Sequence, residues 1–233
     1  IYTQRYTLSL HDALPIFLLA HVIPAVPALK GRLVGALGQS GYVVAYSTLS
    51  TGLLVWLIVA TLRAPYVALW DAPLWTRTLA LVVVPASLAL LGAGVASANP
   101  LSVSFVKPAA EDRLPAIAAI TRHPILWGFL LWSGAHVLPN GDVATAGLFF
   151  GFALFSLVGM VAVDAKKRRS FGQKRWQELT RSAPTLPFAA IVAGRARFGL
   201  DRAMVIGGLV GLLAAFAFLA GWHAALFGVD PLA

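Results

Sequence analysis

From Thr78 to Ala98 the chain reads TLALVVVPASLALLGAGVASA, 21 residues without a charge. About 20 mostly apolar residues in helical form cross the hydrocarbon of a bilayer. The stretch therefore predicts a transmembrane helix, and its length excludes a barrel strand. Five further segments share the pattern: Ala13–Leu29, Gly41–Leu62, Pro124–Pro139, Ala144–Val163 and Ala203–Val229. The first and fourth are short for a span. The expected fold class is all-α, a polytopic integral membrane helix bundle with about six transmembrane helices.

Composition agrees. The 233 residues are 59% hydrophobic and 12% charged, against roughly 45–50% apolar and about 25% charged for a soluble domain. There is no cysteine, which excludes disulfides, cysteine zinc sites, iron–sulfur clusters and thiol nucleophiles. The net charge of +9 could suggest nucleic acid until the charges are placed. The connections 30–40, 99–123 and 164–202 carry fifteen Lys and Arg, ten of them in the last, while the alternate connections carry only Arg63 and Arg77. Such asymmetry puts the fifteen in the cytoplasm. The charge is thus a topology signal and a contact for anionic membrane lipid, and no nucleic-acid partner is expected.

Ile1–Ile16 reads IYTQRYTLSLHDALPI. It lacks the grammar of a signal peptide and resembles translated sequencing adapter. It is expected to be a non-native leader, followed by one transmembrane domain over 17–229 with a basic cytoplasmic loop 164–202. Within that loop, DAKKRRSFGQKRWQELT predicts an amphipathic surface helix with Phe171, Trp176 and Leu179 toward lipid. TLPFAAIVAG is too short to span, and Leu114–Ile120 is expected at the interface. GGLVGLL and GLFFGFALFSLVG place small residues at helix-packing spacing.

Chemistry is expected at histidines, because ionisable groups inside a bilayer are costly to keep. His21 lies in FLLAHVIPAVPAL, ahead of Pro24 and Pro27, and could bond a carbonyl that they free or serve as a ligand. His136 lies in LLWSGAHVLPNGD, where Ser133, Gly134 and Ala135 would let a flat, bulky ligand approach; position near the interface is the plain alternative. Asp142 could orient an imidazole or cap the next helix. In TRHPILWG, Thr121 can cap and Pro124 suits a first helical turn. That sets Arg122 and His123 at a helix N-terminus, which favours a bound anion. His223 reads as interfacial. Two histidines on different helices are the minimum for clamping a haem iron, and without a CxxCH motif such a haem would be b-type.

TRHPILWGFLLWSGAHVLPNGD resembles the signature of the NnrU family of bacterial membrane proteins, with its RHP, LW, AH and NGD elements. AHVIPAVPALKGRLVGALGQSGY resembles the family's opening element, with Gln39 where that pattern has Glu. The resemblance is good over roughly 17–165 and looser beyond. The family has been linked to nitrite and nitric oxide metabolism in denitrification. It is similar to 15-cis-zeta-carotene isomerase, a membrane haem b enzyme. The resemblance implies a multi-pass protein of the bacterial inner (cytoplasmic) membrane, with haem b as cofactor and His21 and His136 as its metal ligands. It implies that His123 and Arg122 serve ligand exchange or the haem propionates, and that the substrate is a hydrophobic polyene. Two other classes fit the residues. RHP, then Asp164, Phe171-Gly172, Trp176 and Pro184 or Pro187, resembles membrane methyltransferases of the isoprenylcysteine and phospholipid type. These hold S-adenosylmethionine with a Glu pair that is missing here. A non-catalytic membrane assembly subunit would need no cofactor.

Overall fold

A computed structural model describes residues 10–21, 23, 26–108 and 113–233. They are helical, with no strand among the described residues beyond an isolated bridge between Ala68 and Asp142. The chain divides into two compact units. One comprises Ile1–Trp70 and Asp142–Gly151, the other Asp71–Gly141 and Phe152–Ala233.

In the first unit, α1 (Leu10–Ala20) packs on α2 (Pro27–Leu62). The expected single segment Ala13–Leu29 is thus divided between two helices. Pro27 opens α2, where its missing N–H costs nothing; Pro24 lies outside the described residues. Part of the expected leader is helical in α1. The expected connection 30–40 also proves helical, and Lys30 and Arg32 ride on α2. A break comes only at Gly38, whose φ of 71° suits a residue without a side chain. The unit closes with the first turns of α6 (Val143–Phe171). Asp142 caps them, accepting from the amides of Ala144 (3.0 Å) and Thr145 (3.1 Å) and from the Thr145 hydroxyl. That settles its two readings in favour of the cap.

In the second unit, α3 (Leu74–Ala96) packs against both α5 (Pro124–Val137) and α9 (Arg202–Ala217). Glycines make this possible. A Cβ at Gly92 would overlap the carbonyl of Gly207, and one at Gly211 would overlap that of Leu88. A Cβ at Gly128 on α5 would come within 2.8 Å of Leu91. The small residues read as packing positions in GGLVGLL therefore bring two backbones together. Serines fill the interior: Ser87, Ser133 and Ser156 have almost no exposed surface, and each donates to a carbonyl of its own helix. Large apolar side chains such as Val82, Val161, Leu213 and Phe216 point outward, as they would where the solvent is lipid.

Four helices are long and apolar enough to cross a membrane: Ala28–Leu62, Leu74–Ala96, Val143–Phe171 and Arg202–Phe227. The last joins α9 to α10 (His223–Phe227) through a π-turn, Phe218–Trp222. The other two expected segments yield α1, with 11 residues, and α5, with 14. At 1.5 Å per residue these are about 16 and 21 Å long, short of a hydrocarbon core of about 30 Å.

The basic loop differs most from expectation. α6 continues to Phe171, Gly172 turns the chain at φ 75°, and α7 (Gln173–Thr180) follows. Trp176 and Leu179 do not face outward. They are buried against Leu101, Ala118 and Ala183, with Leu114 and Phe171 alongside. The segment 99–123 supplies the apolar surface that was assigned to lipid. Its α4 (Ile117–Ile120) is likewise buried rather than interfacial, and Ile191 of α8 (Ala189–Val192) packs against it.

Candidate functional site

The RHP motif forms a closed corner at the start of α5. His123 is the residue before the first helical turn, and Pro124 occupies that turn. The cap is therefore His123, not Thr121, whose hydroxyl donates to the Thr185 carbonyl (2.8 Å) and receives the His123 amide (3.2 Å). Arg122 donates through its amide to the Pro184 carbonyl (2.8 Å) and through Nη1 to that of Ala183 (3.1 Å). Its own carbonyl receives Asn99 Nδ2 at 2.9 Å. Trp127 Nε1 shares the Thr185 carbonyl at 2.8 Å.

Asp164, on α6, ties the corner together. Arg122 meets it in a two-pronged ion pair, through Nε at 2.9 Å and through Nη2. Arg122 also lies 5.4 Å from the centre of the Trp176 ring, at cation–π range. His123 has no exposed surface. Its Nε2 stands 2.9 Å from Asp164 Oδ1 and its Nδ1 2.8 Å from Ser102 Oγ. A carboxylate only accepts, so Nε2 carries a hydrogen toward Asp164. Both nitrogens are engaged. The anion that sequence analysis expected here is the chain's own Asp164.

A recess of about 300 Å³ opens beside the corner, lined by Arg122, Val161, Asp164, Ala165, Arg168 and Trp176. Asp164, Trp176 and Pro184 thus meet around Arg122, and Phe171 packs on the Trp176 cluster, residues whose order suggested a methyltransferase. The acidic residue lining the recess, Asp164, is bonded to Arg122 and His123. These residues close the basic end of the unit.

The last turn of α5 is built differently. His136 is half-buried, and its Nδ1–H donates to the Trp132 carbonyl at 2.7 Å. Asn140 Nδ2 donates to the His136 carbonyl at 2.6 Å. Trp132 flanks the ring at 5.1 Å. Of the three small residues before it, Ser133 and Ala135 are buried in packing, whereas Gly134 has nothing within 4 Å of where a Cβ would stand. Beside His136 lies His223, their ring centres 6.5 Å apart and their planes within 16°. In the sequence His223 reads only as interfacial. The available signal was its place at the same end of its segment as His136, opposite the basic loops.

His21 belongs to the first unit. Its Nδ1–H donates to the Phe17 carbonyl at 2.8 Å, four residues back, and its Nε2 lies 3.1 Å from Ser50 Oγ. The carbonyl is an ordinary helical one rather than one freed by proline. Phe17 and Tyr46 flank the ring at 4.3 and 6.1 Å, and Tyr42 stacks on Tyr46. Of the two histidines expected to share a metal, one therefore lies in each unit.

The chain is 32% identical over 98 residues to the chloroplastic 15-cis-zeta-carotene isomerase of Arabidopsis thaliana, covering 42% of this chain and 26% of that protein. It is 31% identical over 104 residues to the chloroplastic 15-cis-zeta-carotene isomerase of Zea mays, covering 44% of this chain and 28% of that one. The matches span only about a quarter of the length of these curated relatives. No solved structure matches. A family model described as NnrU protein matches residues 9–231, nearly the whole described chain, and the chain belongs to the NnrU family.

Proposed function

We propose that this protein is a membrane-embedded cis-trans isomerase of an apolar polyene that uses haem b, with His136 and His21 each a candidate ligand. The observation that carries the reading is the similarity to two proteins named 15-cis-zeta-carotene isomerase. The histidine chemistry fits it. Metal-ligating imidazoles commonly donate one N–H to a carbonyl and present the other nitrogen to the metal, and His136 and His21 both donate through Nδ1. For His21 to ligate, the Ser50 hydroxyl has to give up Nε2. Gly134 leaves an uncovered patch of helix beside His136, suited to a flat ring system. Bound haem would supply an iron that exchanges ligands and feeds electron density to a double bond.

His123 and Arg122 enter as positioning residues. Their network with Asp164, Ser102 and Asn99 fixes the start of α5, and so the register at which α5 presents His136 one helix length away. The setting we propose is a bacterial cytoplasmic membrane, with the fifteen-cation side inward.

The test is incubation of reduced, haem-loaded protein with 15-cis-zeta-carotene, followed by chromatographic separation of the isomers. The expected result is loss of the 15-cis form with the parent protein and not with His136→Ala. An unchanged isomer mixture with the parent would overturn the activity.

A further inference from the structure

Lys30 and Tyr42 have no part in the histidine sites described above. We propose, resting on the haem reading, that they form a carboxylate site in the first unit that holds one propionate of the haem.

Three observations converge. First, Tyr42 is buried, with 6% of its surface exposed, and its hydroxyl has no hydrogen-bond partner among the described residues. A buried polar atom left unmet is costly and calls for an explanation. Second, a cation is brought to this ring. Lys30 and Tyr42 stand twelve residues apart on α2. A straight helix would separate them by about 18 Å, further than a lysine side chain reaches. The break at Gly38 (φ 71°, ψ 167°) turns the chain between them, and Lys30 Nζ lies 5.9 Å from the centre of the Tyr42 ring. Among the described residues no ion pair engages Lys30. Third, the pair adjoins a candidate haem ligand. Tyr42 stacks on Tyr46 at 5.9 Å, one helical turn along the same face of α2, and Tyr46 meets the His21 ring edge-on at 6.1 Å.

The donor set selects the ligand. An ammonium and a phenol O–H both donate, and a carboxylate only accepts, through two oxygens. Hydrogen bonds to an ionised acceptor are the strong ones. A buried hydroxyl is met by a slim group on a flexible arm, which a propionate is and the phosphodiester of a lipid headgroup is not. Lys30 is half-buried on the cation-rich side of the chain, so the charged arm ends near the interface, where a charge costs less than at the bilayer centre. In the second unit Arg122, the cation that sequence analysis offered to the propionates, is bound to Asp164. The Lys30–Tyr42 site uses no atom of His21.

The experiment titrates the full chain in mild detergent with haem and with haem dimethyl ester, whose carboxyls cannot ionise, and reads each affinity from the Soret band. The parent should bind haem more tightly than the ester. Tyr42→Phe should weaken haem binding about tenfold or more, as for loss of a hydrogen bond to a charged group, and leave the ester unchanged. Lys30→Gln should do the same. Haem-free Tyr42→Phe should unfold at the parent's temperature or above it, because the hydroxyl it loses has no partner. Three results would overturn the site and leave the isomerase reading standing: equal affinity of the parent for haem and ester, a haem affinity that Tyr42→Phe leaves unchanged or lowers equally with the ester's, or a lower unfolding temperature of that variant without haem. A parent that takes up neither pigment would overturn the haem reading and this site with it.

Discussion

The two ends of α5 each carry a histidine, and they are built on opposite principles. At the first turn His123 is fully buried, with Asp164 on one nitrogen and Ser102 on the other. At the last turn His136 is half-buried, held through Nδ1 by a carbonyl, next to an uncovered glycine and a second imidazole. A buried polar network is stable when each member is satisfied. The first end meets that condition internally, and this makes it a fixture. The second is where we propose that haem binds. The difference teaches that the RHP motif, the most conspicuous in the sequence, is tied into a network of the chain's own groups.

Breaking the fixture should have the largest effect. Asp164→Ala removes the partner of Arg122 and of His123 together. A loss of about 3–5 kcal/mol is expected, as for removal of one member of a buried ion pair, read as a large fall in unfolding temperature in detergent. Parent-like melting would mean that the corner is not a structural network. Next comes Gly207→Val, which drives a side chain into the Gly92 carbonyl. Overpacking of this kind costs about 1–3 kcal/mol, and unfolding should show it without change at the His136 end. Ser102→Ala removes one hydrogen bond to His123 and should cost about 1 kcal/mol. A change in haem spectrum without that loss would place His123 in the cofactor site. The smallest effect on stability is expected for His136→Ala, about 1 kcal/mol for the hydrogen bond to the Trp132 carbonyl, yet haem binding should disappear.

The sequence made the apolar helices legible because span length is a local property. Thr78–Ala98 needs no partner to be read, and α3 covers all but its last two residues while starting four residues earlier, at Leu74. The fate of Trp176 was not legible. Its partners Leu101 and Ala118 lie far away in the chain, and an amphipathic octet beside ten cations looks like a lipid-facing helix until they are known. The short helices α1 and α5 show a similar limit, since their ends depend on where prolines and turns fall. At the site, His123, Arg122 and His136 stood out by motif. Asp164 was noticed only for its place in a chain order, and its contact with Arg122 and His123 spans some forty residues. His223 required two helix ends to be brought together, which no local pattern encodes.

The most direct measurement is the absorption spectrum of the purified protein, oxidised and dithionite-reduced, for the parent and for His136→Ala. The account predicts a Soret band with sharp reduced bands in the parent, lost in His136→Ala while the variant stays folded. A folded parent that shows no Soret band after haem supplementation, or a band that survives loss of His136, would contradict it.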